Sequence, residues 1–113
     1  MLLGKVFREE KNTLSVESYL LKIERSYKKN LELKKRLNNY AYEPRTYALH
    51  QQLDKIKLRL ELLQISHLKL MNTLNQPINF IEVYEQKINK QLEESKLLDS
   101  YVEDYINSSK KIS

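Results

Sequence analysis

The sequence predicts an all-α fold, an elongated up-down-up three-helix antiparallel bundle with coiled-coil-like packing. The 113 residues include one Gly and two Pro, too few turn residues for a strand-rich fold or a loop-built active site. Apolar residues recur every three or four positions along three segments, which is typical of amphipathic helices. The breaks between these segments are short, so neighbouring helices should run antiparallel. We expect residues 1–113 to form a single helical domain.

The first predicted helix covers residues 14–39, after a short lead-in at residues 1–12. Thr13 or Ser15 can cap it, because each hydroxyl can accept a hydrogen bond from a free backbone amide. Its apolar stripe consists of Val16, Leu20, Ile23, Tyr27, Leu31 and Leu37.

The second and third predicted helices cover residues 44–74 and 80–107, and a frayed tail follows at 108–113. Pro44 is placed at the first helical position, where its missing amide proton has no partner to lose. Asn79 and Glu82 have the spacing of a capping box at the start of the third helix.

The second helix carries the most regular pattern in the chain. Its 4-3-4-3 spacing is that of a coiled-coil seam, formed by Leu49, Leu53, Ile56, Leu60, Leu63, His67, Leu70 and Leu74. Because each residue of an α-helix is rotated by about 100° from the one before, a second apolar set lies roughly opposite this seam. It consists of Tyr47, Leu58, Leu62 and Ile65.

Two interpretations of this second set are open. The first and third helices could cover the second helix from different sides, which would make both sets core. Alternatively, the second set is an interface for another protein or a second copy. Polar Gln91 and Ser95 interrupt the seam of the third helix, which favours the interface, because a weak seam covers two apolar faces poorly.

Tyrosines are concentrated at one end of the predicted bundle. Such a cluster is typical of an interface hot spot, but the rings could also close the bundle end with their hydroxyls in water. The five are Tyr40, Tyr42, Tyr47, Tyr101 and Tyr105.

The charge is unevenly distributed: residues 1–40 carry +5, residues 41–77 carry +2 and residues 78–113 carry −2. A basic face of the first helix could bind nucleic-acid phosphates or lipid head groups. It consists of Arg25, Lys28, Lys29, Lys35 and Arg36. The alternative is a structural role, in which these cations pair with acidic residues of the parallel third helix, namely Glu93, Glu94, Asp99, Glu103 and Asp104.

His67 occupies a seam position, where histidines are usually packed and hydrogen-bonded. If it is buried, its protonation should weaken the seam.

The sequence predicts no enzyme, cofactor, metal site or small-molecule substrate. There is no Cys and hence no disulfide or thiolate zinc site, and neither a phosphate-binding glycine loop nor a nucleophile elbow is present. No apolar run approaches the roughly 18 residues of a membrane span, and we expect a cytoplasmic protein. The predicted function is a protein–protein interaction module, namely an adaptor, inhibitor or assembly subunit. The alternative is a nucleic-acid-associated accessory protein, and a purely structural coiled coil is a third class.

Overall fold

The computed structural model describes the backbone of residues 2–39 and 44–112, and the side chains of residues 15–39 and 44–110. It contains three helices, α1 (Leu2–Leu37), α2 (Tyr47–Leu74) and α3 (Glu82–Ile112), each of which packs against the other two. The Cα atoms extend over 67 × 18 × 16 Å. The predicted all-α three-helix bundle is therefore confirmed, as is its elongated shape.

Helix α1 begins much earlier than predicted. The segment 2–12, expected to be a separate lead-in, continues into residues 14–37 as one uninterrupted helix. The prediction was wrong because a capping residue such as Thr13 permits a helix start but does not require one. No Gly or Pro occurs between Gly4 and Pro44, so nothing in the sequence breaks the helix at residue 12.

Helix α2 begins at Tyr47, three residues later than predicted. Thr46 has an extended backbone, and its Oγ1 accepts a hydrogen bond from the amide of Leu49 at 3.1 Å. The hydroxyl therefore caps the helix, and Pro44 lies before the first turn instead of within it. At the other end, Asn75 caps the helix and donates its backbone amide to Met71.

Helix α3 begins at Glu82 and reaches Ile112, so both predicted ends were wrong. A tight turn precedes it, in which the amides of Val83 and Tyr84 donate to the carbonyls of Phe80 and Ile81. This turn places the helix start three residues beyond Asn79, too late for the predicted capping box. The predicted frayed tail is helical as far as Ile112.

Side-chain contacts fix the direction of the helices. Ser95 on α3 bonds to Asn30 on α1, and Arg36 pairs with Glu103 further along the same two helices. Both contacts advance in the same direction, so α1 and α3 run parallel. Helix α2 runs against them, since Ser26 and Tyr27 of α1 contact His67 and Gln64 of α2 in reverse order. This is the predicted up-down-up arrangement.

The core is built on the α2 seam. All eight predicted seam residues are buried, and they are the only buried residues of α2. Two apolar clusters share this seam. The larger contains Leu33, Leu37, Leu49, Leu53, Ile56, Leu60, Leu63, Leu98, Val102, Tyr105 and Ile106. The smaller contains Ile23, Leu70, Leu74, Ile81 and Ile88.

Helix α1 buries most of its predicted stripe: Ile23 and Leu37 are core residues, and Val16 and Leu20 pack against the smaller cluster. The stripe differs in its middle. Asn30 and Leu33 are buried with Ile23 and Leu37, whereas Leu31 is only half-buried. The buried spacing of seven and then three and four residues is a heptad seam. Asn30 was not predicted, because a search of the sequence for an apolar stripe does not include polar side chains.

Adjacent leucines on α2 provide a direct test of this core. Leu63 is 5% exposed and Leu62 is 55% exposed. We expect Leu63→Ala to lower the free energy of unfolding by about 2–5 kcal/mol, because it removes buried methyl groups and leaves a cavity. Leu62→Ala, the matched control, should change it by about 0.5 kcal/mol or less. Urea unfolding followed by circular dichroism measures both, and equal losses would contradict the assigned packing.

Candidate functional site

The second apolar set of α2 is exposed. Tyr47 is 78% exposed, Leu58 57%, Leu62 55% and Ile65 46%, and Leu68 joins them at 46%. We call these five residues the outer face of α2. Helices α1 and α3 both pack on the opposite side, against the seam, so the interpretation in which they cover α2 from two sides was wrong. From Leu58 to Leu68 these side chains form a contiguous apolar surface that no other described helix covers, and Gln51 and Asp54 separate Tyr47 from it.

A groove between α2 and α3 borders the outer face. It has a cavity volume of about 400 Å³, and Leu62 belongs to both the groove and the outer face. The other lining residues are Arg59, Leu63, Ser66, Lys87, Lys90, Gln91 and Glu94. Its rim thus carries three cations and one carboxylate beside exposed apolar surface.

Arg59 connects this groove to the next one along α2 and α3. Its guanidinium lies 3.2 Å from the Glu94 carboxylate and 5.5 Å from the centroid of the Tyr101 ring. The second groove, of about 210 Å³, is lined by Arg59 and Tyr101 together with Lys55 and others. Arg59 is held between a carboxylate and an aromatic face, which limits its motion at the edge of the outer face.

The predicted tyrosine cluster divides into different environments. Tyr47 is exposed and its hydroxyl accepts a hydrogen bond from Gln51 at 3.0 Å, while Tyr101 is 37% exposed. Tyr105 is fully buried in the larger apolar cluster, and burial raises the pKa of its phenol. Its prediction as an interface residue was wrong, because it occupies a seam position of α3. Tyr40 and Tyr42 lie outside the described residues.

The predicted basic face of α1 is also divided. Arg36 pairs with Glu103 of α3, and the hydrogen bond from Arg36 lowers the pKa of the Glu103 carboxyl. This is the pairing expected between the basic and acidic helices, although Glu94 pairs instead with Arg59 of α2. Lys28 and Lys35 are exposed.

Arg25 and Lys29, the remaining members of the predicted basic face, line a groove between α1 and α3. Lys22 and Lys96 line it with them. Lys96 was not predicted, because only the register of α3 against α1 brings it to the basic face.

A layer of buried polar side chains crosses the bundle between the two apolar clusters. His67 is fully buried; its Nδ1 lies 2.8 Å from Gln91 Oε1, and its Nε2 lies 2.8 Å from Ser26 Oγ. Since an amide oxygen can only accept, Nδ1 donates to Gln91, and Nε2 of the neutral ring accepts from the Ser26 hydroxyl. Beside this chain, Ser95 Oγ donates to Asn30 Oδ1 at 3.2 Å.

In the part of the chain that the structure describes, no helix is long and apolar enough to cross a membrane. No family model matches the sequence, and no curated protein or solved structure shows significant similarity to it. The surfaces of the bundle are therefore the basis for assigning a function.

The buried histidine makes the stability of the bundle depend on pH. Burial lowers the pKa of His67 below its ordinary 6.5, and the hydrogen bond with Gln91 opposes this shift in part. Below about pH 6.5 the unfolded chain therefore binds more protons than the folded chain. We expect the free energy of unfolding to fall from pH 7.5 to 5.5, with a His67 contribution of at most about 1.4 kcal/mol per pH unit.

The measurement is urea unfolding of the wild type, His67→Leu and His50→Gln at both pH values. Removing His67 should abolish most of the pH-dependent loss, whatever it does to stability at pH 7.5. His50→Gln is the control and should retain the loss. An equal pH dependence in the wild type and His67→Leu would contradict the assignment.

Proposed function

We propose that this protein is a non-enzymatic helical interaction module that docks the outer face of α2 on an amphipathic helix of another protein. The supporting observation is the exposure of four consecutive large aliphatic side chains on one helix face, namely Leu58, Leu62, Ile65 and Leu68. Scattered exposed apolar residues are ordinary on protein surfaces, but a contiguous apolar face with a polar rim is typical of an interaction site.

The dimensions of the outer face suit a short helical contact. Leu58 and Leu68 are 10 positions apart on α2, about 15 Å at 1.5 Å per residue, and Tyr47 lies further along the same side beyond the polar Gln51 and Asp54. A partner helix of three turns or more could lie along the apolar part, over the groove beside Leu62. Such a complex would be a four-helix arrangement in which the partner supplies an apolar stripe at spacings of three and four.

The charge beside the outer face favours an acidic partner. The rims of the two α2–α3 grooves carry four cations, Lys55, Arg59, Lys87 and Lys90. Two carboxylates, Glu94 and Asp104, lie in the same linings. Since Arg59 and Glu94 pair with each other, three cations remain against one carboxylate. A partner helix with Asp and Glu beside its apolar stripe would therefore complement this surface.

A second copy of this chain is the alternative occupant of the outer face, and the oligomeric state in solution distinguishes it from a different protein. A cytoplasmic location forms part of this proposal.

The first test is light scattering coupled to size exclusion, for the wild type and Leu58→Glu/Leu62→Glu, from low to high micromolar protein. We expect both to be monomers with the same helix content, because both side chains are exposed. A wild-type dimer that the double substitution dissociates would show that the occupant is a second copy. Unfolding of the double variant would show that the outer face is core, and would overturn the proposal.

A designed peptide tests the chemistry of the partner. The probe is a 21-residue amphipathic helix with a leucine stripe flanked by Glu, and its control has the same stripe flanked by Lys. We expect the acidic peptide to bind at least tenfold more tightly, measured by fluorescence anisotropy, and Leu58→Glu/Leu62→Glu to abolish its binding. Equal affinity for both peptides, or binding unaffected by the double substitution, would contradict the proposed site.

A further inference from the structure

The groove between α1 and α3 is distinct from the outer face of α2, and its lining is unusually basic. It has a volume of about 450 Å³, and its charged lining residues are Lys22, Arg25, Lys29 and Lys96. None of its lining residues is acidic; the remaining three are Ser26, Leu92 and Ser95. Within the part of the chain that the structure describes, none of the four cations forms an ion pair with a carboxylate.

At the neighbouring end of the same two helices, a cation of α1 is neutralised by a carboxylate of α3. Arg36 and Glu103 pair there directly. Lys29 is close enough to help lower the pKa of the Glu103 carboxyl, after the larger effect of Arg36, but it forms no ion pair with it. The lining of the groove therefore carries an excess of positive charge, and the carboxylate of Glu103 lies outside the groove.

The serines in the groove direct their hydrogen bonds inward. Ser26 interacts with His67, and Ser95 donates to Asn30. A ligand in the groove would therefore meet ammonium and guanidinium donors, which are the groups that bind phosphate oxygens. Carboxylates are absent from the lining, so a phosphate would meet no repulsion from the groove itself.

The spacing of the α1 cations suits a ligand with several phosphates. Lys22, Arg25 and Lys29 lie on successive turns, so their Cα atoms extend over about 10 Å of the helix. Lys96 adds a cation from the other wall. A ligand with consecutive phosphates could place a separate phosphate beside each end of this row of cations, which a single phosphate would not do.

We propose that the α1–α3 groove binds the phosphates of an oligophosphate or of a nucleic-acid backbone. A membrane surface fits less well, because a helix that lies on a bilayer needs basic and apolar residues beside each other. Among the described residues of α1, a single large apolar side chain is exposed beside these cations, that of Leu21, and it does not form an apolar face. The contiguous apolar surface formed by Leu58, Leu62 and Ile65 is on α2, which contributes no residue to the groove. The proposal does not depend on the function assigned to α2.

The experiment measures binding at low salt of two probes, inorganic tripolyphosphate by calorimetry and a labelled 12-nucleotide single strand by fluorescence anisotropy. We expect at least one probe to bind. Preference for tripolyphosphate would indicate a free oligophosphate, and preference for the strand a nucleic-acid backbone. In either case Arg25→Gln/Lys29→Gln should weaken binding at least fivefold. For the single strand, it should also reduce the dependence of log K on log salt by about 1.4, or about 0.7 per lost contact.

The matched control is Lys57→Gln/Lys69→Gln, which removes the same charge from exposed positions of α2. It should change affinity less than twofold, and circular dichroism should show that both variants remain helical. Equal weakening by the two variants would mean that only net charge matters, and would overturn the proposal. Failure of the wild type to bind either probe would also overturn it, as would binding to anionic vesicles alone.

Discussion

The seam of α2 is the constraint on which the rest of the structure depends. Eight residues at alternating spacings of four and three form one continuous stripe, and a stripe of this period stays on one side of a helix that packs against neighbours. Both α1 and α3 must pack there, because no other face of α2 is so continuously apolar. The outer face is left exposed as a direct consequence. An exposed apolar surface thus results from the same pattern that specifies the bundle.

The polar layer gives the seam its register. Apolar seam positions repeat every heptad and so distinguish one alignment of the helices from the next only weakly, whereas His67 meets both Gln91 and Ser26 in only one alignment. A displaced layer would leave buried groups without partners, at about 1–3 kcal/mol each. The layer is not perfectly satisfied, since Asn30 Nδ2 is buried without an acceptor among the described atoms. A single buried polar residue in a seam can specify alignment in this way at a cost in stability.

The fold could be predicted because the sequence patterns that specify it lie within short stretches of the chain. The α2 seam and the prolines before α2 and α3 are visible within short stretches of sequence, and they yield helix number, order and direction. What could not be predicted depends on contacts between distant residues. Asn30 is buried because of its seam position, although its chemistry suggested a surface. Tyr105 has the spacing of the α3 seam, and its burial there outweighs its grouping with the exposed tyrosines. Lys96 joins Arg25 and Lys29 only through the parallel register of α1 and α3. The start of α1 was wrong because a capping residue was treated as a boundary.

The same register separates the charge of the bundle into regions with different chemistry. Near the carboxyl end of α1, Arg36 and Glu103 neutralise each other across the bundle surface. Nearer the polar layer, Lys22, Arg25, Lys29 and Lys96 share one groove without a carboxylate in its lining. An exposed ion pair contributes only about 0–1 kcal/mol, so the pairing of Arg36 does little for stability. Its larger effect is to neutralise one exposed cation. The α1–α3 groove and the basic rim beside the outer face of α2 are then two places where several cations lie together with few carboxylates, the first within a groove and the second beside an apolar surface.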